Sequence, residues 1–267
     1  MAQSIGIVGC GAIAQALLRE ADNGNLPVEV AGVTSRTEST ARAFLVTLTK
    51  PPPYLEREEL IARSDLIVET AGGHVVPGLA RETFQAGKDL MVISIGALLE
   101  HPEIIEQSRK TGCRLLAPSG AIAGLDGIKS ACSGIVDRVT MVSRKPPRAI
   151  EGAPYLVEHG ISLEGLETER EVFSGSAREA CLGFPANLNV SAAVSLAGVG
   201  PDKTQVRIIA VPGLERNCHD IEVEGEFGFL SVHIENIPSE NPKTGRLTAL
   251  SIIRSVCDAA DPVSIGT

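Results

Sequence analysis

The chain has 267 residues, 43% hydrophobic and 21% charged, a size and composition that bury a full core without a disulfide or metal staple. A formal net charge of -9 supplies no basic field, so neither nucleic acid nor an anionic membrane surface is expected as a partner. The cysteines (Cys10, Cys113, Cys132, Cys181, Cys218 and Cys257) are scattered with no Cys-x-x-Cys spacing. Reduced thiols in a cytoplasmic protein are therefore expected, with no zinc ribbon, redox dithiol or other metal site. A strand is expected almost at once after Met1, which leaves no room for a signal peptide, and no apolar run approaches membrane-spanning length. The length predicts one large or two modest domains.

The first element carries the most information. Ser4-Ile5-Gly6-Ile7-Val8 runs straight into Gly9-Cys10-Gly11-Ala12-Ile13-Ala14, and Ala16, Leu17 and Leu18 continue a helical pattern. Strand, tight glycine turn and helix is the order a dinucleotide site requires. Gly9 permits the turn, and Gly11 lets the backbone approach a pyrophosphate. Ala14 keeps the helix near the sheet, and the helix start at Ala12 and Ile13 offers N–H groups to the anion.

Further strands are expected at 28–33, 66–69, 90–95 and 114–116, alternating with helices at 12–21, about 39–48, 56–62, 76–86 and 102–110. Short unbroken apolar strands suit a parallel sheet covered on both faces, with its ligand at the carboxyl ends. Ala71, Gly72 and Gly73 fall at one such end and Ser94-Ile95-Gly96 at another. The slot where an acidic residue would take the ribose hydroxyl of NAD reads Thr34-Ser35-Arg36-Thr37. With no carboxylate there, Ser35 and Arg36 can bind a 2′-phosphate, so NADP use or dual use of NADP and NAD is expected.

After Ala117-Pro118-Ser119-Gly120 the rhythm changes. A helix is expected at 125–132, then a strand at 139–142 ended by Arg144-Lys145-Pro146-Pro147, and irregular structure to about 168. Helices at 176–181 and 188–197 precede strands at 205–211, 219–227 and 229–237. Leu247, Leu250, Ile253, Val256 and Cys257 mark a last helix at 247–260. The expected fold class is α/β. A Rossmann-type doubly wound parallel sheet (1–117) is joined by a returning C-terminal helix (about 243–267), and a second α+β domain (118–242) carries a mainly antiparallel open sheet.

The histidines are unequal candidates for chemistry. His101 starts a helix, His159 lies in the irregular segment, and His233 alternates with Ser231 and Glu235 on a polar strand face. His74 follows a strand carboxyl end. His219 shares parity with Ile221 and Val223 and so points with the apolar face, while Asp220, Glu222 and Glu224 form a solvated one. A nucleophilic Cys218 beside His219 is disfavoured, since adjacent strand residues face opposite ways.

Five stretches together resemble the L-aspartate dehydrogenases over nearly the whole chain. They are Gly9-Cys10-Gly11-Ala12-Ile13-Ala14, Ser94-Ile95-Gly96-Ala97-Leu98, Pro118-Ser119-Gly120-Ala121-Ile122-Ala123-Gly124-Leu125-Asp126, Phe184-Pro185-Ala186-Asn187-Leu188-Asn189-Val190-Ser191 and Arg216-Asn217-Cys218-His219-Asp220-Ile221-Glu222-Val223-Glu224-Gly225. The first is generic and the last three are fairly specific. The resemblance implies a catalytic His219, nicotinamide contacts at Ala123 and Asn189, and a homodimer. It also implies reversible NAD(P)-dependent conversion of L-aspartate to iminoaspartate, then oxaloacetate and ammonia, which can feed NAD biosynthesis. A dicarboxylate needs cationic or N–H partners, for which Lys129, Arg144, Lys145 and the amides of Ser119-Gly120-Ala121 are the candidates. Two alternatives remain: a related two-domain oxidoreductase, dihydrodipicolinate-reductase-like or homoserine-dehydrogenase-like, and a non-catalytic nucleotide sensor.

Overall fold

A computed structural model describes residues 3–185, 189–237 and 246–266. It divides into two compact units, 1–118 with 249–264, and 119–248 with 265–267.

In the first unit, strands β1 (Gln3–Val8), β2 (Val28–Thr34), β3 (Leu66–Glu69), β4 (Asp89–Val92) and β5 (Leu115–Leu116) alternate with helices α1 (Ala12–Asp22), α2 (Glu38–Leu45), α3 (Arg57–Arg63), α4 (Val76–Gln85), α5 (Ala97–Glu100) and α6 (Glu103–Thr111). The sheet order is β2-β1-β3-β4-β5 and every pairing is parallel. Ile5, Ile7, Leu66, Ile67 and Val68 are completely buried, as strands covered on both faces require. The chain reverses direction across the sheet between β1 and β3, the switch point at which open α/β sheets hold ligands.

The fourth strand ends at Val92 instead of running to residue 95. The amides of Ile93 and Ser94 leave the ladder to donate to the Glu69 carboxylate.

The second unit holds α7 (Leu125–Ala131), β6 (Val136–Lys145), α8 (Pro147–Ile150), α9 (Pro154–Glu158), β7 (Arg170–Ser176), α10 (Ala177–Gly183), α11 (Asn189–Ala197), β8 (Gln205–Ala210), β9 (Asn217–Gly225) and β10 (Gly228–Asn236). Its sheet order is β10-β9-β6-β8-β7, antiparallel except for the parallel β6–β8 pair. Three expectations are corrected here. β6 is longer than 139–142, the irregular segment contains two short helices, and an edge strand, β7, lies where none was expected. Ser176 caps α10 by a reciprocal box with Glu179.

The last helix, α12 (Arg246–Ala260), starts in the second unit's span and runs into the first. Its Ile252 and Val256 join the core cluster of Ile5, Leu17, Leu66 and Met91, while Leu250 is 60% exposed, outside the expected stripe. The motif residues Ala186, Asn187 and Leu188, and the stretch 238–245, lie outside the described residues. Among the described residues no helix is long and apolar enough to cross a membrane.

Candidate active site

The glycine turn closes as tightly as its sequence demands. Gly9 has φ 110°, and a Cβ there would sit 2.5 Å from Thr70 Oγ1 and 2.8 Å from the Thr70 carbonyl oxygen. Only glycine satisfies both limits. The turn is pinned on each side, Gly9 N–H donating to the Thr34 carbonyl at 2.7 Å and Thr70 N–H to that of Val8 at 2.8 Å. Around Gly11 nothing lies within 4 Å of the position a Cβ would take, so the floor beside it is open. Helix α1 begins there without a side-chain cap or an acidic residue in its first turn. Its leading N–H groups, those of Ala12 and Ile13 among them, are thus left for an anion.

A cleft of about 870 Å³ opens over this turn. The carboxyl ends of the first three strands frame it, bringing Gly9 and Gly11 together with Ser35, Arg36 and Ala71. Ala12, Ile13 and Gly72 adjoin these residues but are not among those lining the cleft. Its far wall carries residues outside any motif, Thr40, Tyr54, Glu56 and Arg57. Thr40 comes from α2, whereas Tyr54, Glu56 and Arg57 arrive through an isolated bridge between Val33 and Tyr54, and the Tyr54 hydroxyl donates to the Ser35 carbonyl at 2.8 Å. No local spacing announces such a long-range contact. Open backbone beside a helix start, hydroxyls and two guanidinium groups fit a phosphorylated dinucleotide, with Glu56 the single carboxylate on the described wall. His74 also lines the cleft.

Glu69 is the feature the sequence hid. It is fully buried at the end of β3. Oε1 accepts from the amides of Ala71 and Gly72, both at 2.7 Å, and from Ser94 Oγ at 3.1 Å. Oε2 accepts from the amides of Ile93 at 3.2 Å and Ser94 at 3.0 Å. One carboxylate therefore ties together the loops after β3 and β4.

The second unit gathers its polar residues at one end of the sheet. Along β6 the covered face runs Val139, Met141, Ser143, Lys145, so an apolar row ends in two polar side chains, 0% and 6% exposed. On the adjacent β9, His219, Ile221 and Val223 face the same way. Ser143 and His219 are register partners, and Ser143 Oγ lies 3.0 Å from His219 Nδ1. His219 is 2% exposed, and burial, then the charge of Lys145, push its pKa down to about 3, with Asp220 opposing. The imidazole is neutral at ordinary pH, a base with Nδ1 engaged by the serine.

Asn236, at the end of β10 and 3% exposed, donates from Nδ2 to the Ala121 carbonyl at 2.7 Å. This fixes the loop before α7 that carries Ala123, itself exposed. Asn189 opens α11.

Three of the other histidines have structural partners. His101 bonds Glu103, His159 stacks on Tyr155 at 3.9 Å, and His233 pairs with Asp220. Cys218 is buried with Sγ toward the Arg216 carbonyl, and burial raises its thiol pKa, the reverse of an activated nucleophile. Glu224 pairs with Arg138, and Asp220 with Arg144. Among the described residues no group of His, Cys, Asp or Glu is placed to hold a metal.

Comparison with known proteins divides along the same line as the chain. Residues 9–118 match the family model "Homoserine dehydrogenase, NAD binding domain", and residues 126–259 match "Aspartate dehydrogenase, C-terminal". The homoserine-dehydrogenase likeness is thus carried by the nucleotide-binding half. The L-aspartate dehydrogenase of Methanosarcina mazei is 46% identical over 268 residues, covering 98% of this chain and 99% of that protein. L-aspartate dehydrogenase 3 of Bordetella bronchiseptica is 43% identical, covering 98% and 97%. The crystal structure of aspartate dehydrogenase from Thermotoga maritima superposes with a TM-score of 0.76 over 99% of both chains, and at 23% identity it bears on the fold. With these identities sustained from end to end, the chain belongs to the L-aspartate dehydrogenase family.

Proposed function

We propose that this protein catalyses the reversible reaction of L-aspartate, water and NAD(P)+ to oxaloacetate, ammonia and NAD(P)H, with His219 as its acid–base group. The observation that carries the proposal is the buried, neutral His219 held at Nδ1 by Ser143, in the half that matches the aspartate dehydrogenase model. In the deaminating direction, His219 Nε2 takes a proton from the substrate's ammonium group. Once that proton has passed to solvent, it deprotonates the water that adds to the imine carbon, gives that proton to the carbinolamine nitrogen, and takes up the hydroxyl proton as the carbonyl forms and ammonia leaves. Ser143 keeps Nε2 presented by occupying the other ring nitrogen. When bound, the nicotinamide supplies the hydride acceptor for Cα, and the donor in reverse. Gly9, Gly11 and the start of α1 bind the pyrophosphate. Ala71, fixed together with the adjoining Gly72 by Glu69, forms the neighbouring wall, and Ala123 and Asn189 are kept as nicotinamide contacts on the family's pattern.

The deciding assay follows NADPH and NADH absorbance with oxaloacetate, with and without ammonium. Oxidation that needs both oxaloacetate and ammonium is the expected result. Oxidation without ammonium would mean a ketone reductase, and none at all would return the nucleotide sensor.

Arg36 is proposed to receive the 2′-phosphate, aided by Ser35. Arg36→Ala should weaken NADPH roughly 10- to 100-fold, the range of a hydrogen bond to a charged group, and leave NADH within about twofold. Titration by cofactor fluorescence measures both, and equal losses would remove Arg36 from that role. Scattered cysteines without a Cys-x-x-Cys spacing favour a cytoplasmic setting. The homodimer implied by the family likeness is checked by sedimentation of the full chain.

A further inference from the structure

The chemistry above leaves the substrate's two negative charges without assigned partners. Three basic side chains and one run of amides were open candidates, and the fold separates the side chains. Lys129 is exposed on α7. Arg144 points to the opposite face of β6 from Ser143, where it pairs with Asp220. Lys145 alone shares the covered face with Ser143 and His219.

Position on the sheet sharpens the choice. Ser143 pairs in register with His219, and Lys145 lies two residues further along the same face. Its register partner on β8 is Ala210, which adds almost no side-chain bulk there. We propose that Lys145 is the cation that receives a carboxylate of the dicarboxylate substrate beside His219, an assignment that rests on the aspartate/oxaloacetate reaction proposed above.

Physical chemistry favours this division of labour. Lys145 is 6% exposed, so its ammonium is largely withdrawn from water on the face that holds His219. Burial pushes the Lys145 pKa down to about 8, while His219 is pushed further, to about 3. Over the neutral range the pair therefore carries one positive charge, and it sits on Lys145. Asp220, on the other face of β9, is the carboxylate that acts on His219, and it is already shared by Arg144 and His233. Across the sheet the register partners are uncharged, Ala210 on β8 opposite Lys145 and Ile234 on β10 opposite His219. A carboxylate arriving here gains a desolvated ammonium, a stronger partner than any surface lysine.

The test uses the full-length protein with NADP+ present and succinate as an inert dicarboxylate probe, read by calorimetry, together with steady-state kinetics for oxaloacetate. Lys145→Met should raise the succinate Kd and the oxaloacetate KM roughly 10- to 100-fold, with a much smaller change in kcat and NADPH affinity within about twofold. In the wild type, succinate affinity should fall as pH rises through about 8 and the ammonium loses its proton. Lys145→Met should lose that dependence. Lys145→Arg, charged at every pH, should recover part of the affinity and bind without the decline. A purely structural lysine would change stability without splitting KM from kcat and without moving the pH profile. Unchanged succinate binding and KM in Lys145→Met would overturn the assignment. A wild type inactive with oxaloacetate and ammonium would instead overturn the functional proposal, and the succinate titration would still decide whether Lys145 holds an anion.

Discussion

Replacing His219 by Ala is expected to lower kcat by about 10²- to 10⁴-fold, the range for a general acid–base group, while NADPH affinity stays within about twofold. The split follows from position. His219 sits on β9 among Ser143, Lys145 and Ile221, and the glycine turn that would hold the pyrophosphate belongs to the other unit. Rapid-quench or steady-state rates beside a cofactor titration measure the two quantities. A variant that turns over at the wild-type rate would take His219 out of the mechanism.

The pH behaviour differs from that of an ordinary imidazole. Burial and Lys145 move His219 to about 3, so kcat/KM, which reports the free enzyme, should show no histidine limb between pH 5 and 7. A bound dicarboxylate brings negative charge beside the ring and raises its pKa, so the acid limb of kcat should lie at higher pH than that of kcat/KM. Stability carries the same sign. The folded value lies below the ordinary histidine value of 6.5, so the unfolded chain binds the proton the folded chain refuses. This contribution is fully present above about 6.5 and is lost as pH falls from there toward 3. His219→Gln should flatten that part of the acid-unfolding curve.

Much of this was legible locally. The first strand, glycine turn and helix are consecutive, and each residue type has a local reason to be there. His219 could be placed on the covered face because β9 alternates cleanly, with Ile221 and Val223 inward and Glu222 and Glu224 outward. What stayed hidden depends on register or on distant partners. β7 is an edge strand with a register shift between Glu171 and Phe173, so its period of two breaks in the middle. Lys145 sits in Arg144-Lys145-Pro146-Pro147, which reads as the polar end of a strand. Only pairing with β8 and β9 shows that the strand runs through it and turns the lysine inward. Tyr54 and Arg57 reach the cleft through one bridge after a proline-rich stretch.

Glu69 is the extreme case, a single acid ending an apolar strand, and its substitution should have the second large effect. Its oxygens accept four amides and one hydroxyl from two loops. Glu69→Gln keeps the shape but turns one acceptor into a donor that faces backbone N–H groups. Whichever way the amide lies, two N–H donors lose their acceptor around a fully buried side chain. At about 1–3 kcal/mol for each of the two buried unsatisfied groups, the loss should total about 2–6 kcal/mol and lower the melting temperature by roughly 5–20 °C. The Ala71–Gly72 loop borders the dinucleotide cleft, so NADPH affinity should fall with it, whereas a mutation that only loosens the core would leave affinity intact in the molecules that remain folded. Thermal unfolding and cofactor titration at a temperature where the variant is folded separate these outcomes. A variant of wild-type stability and affinity would show that the loops after β3 and β4 hold their shape without the carboxylate.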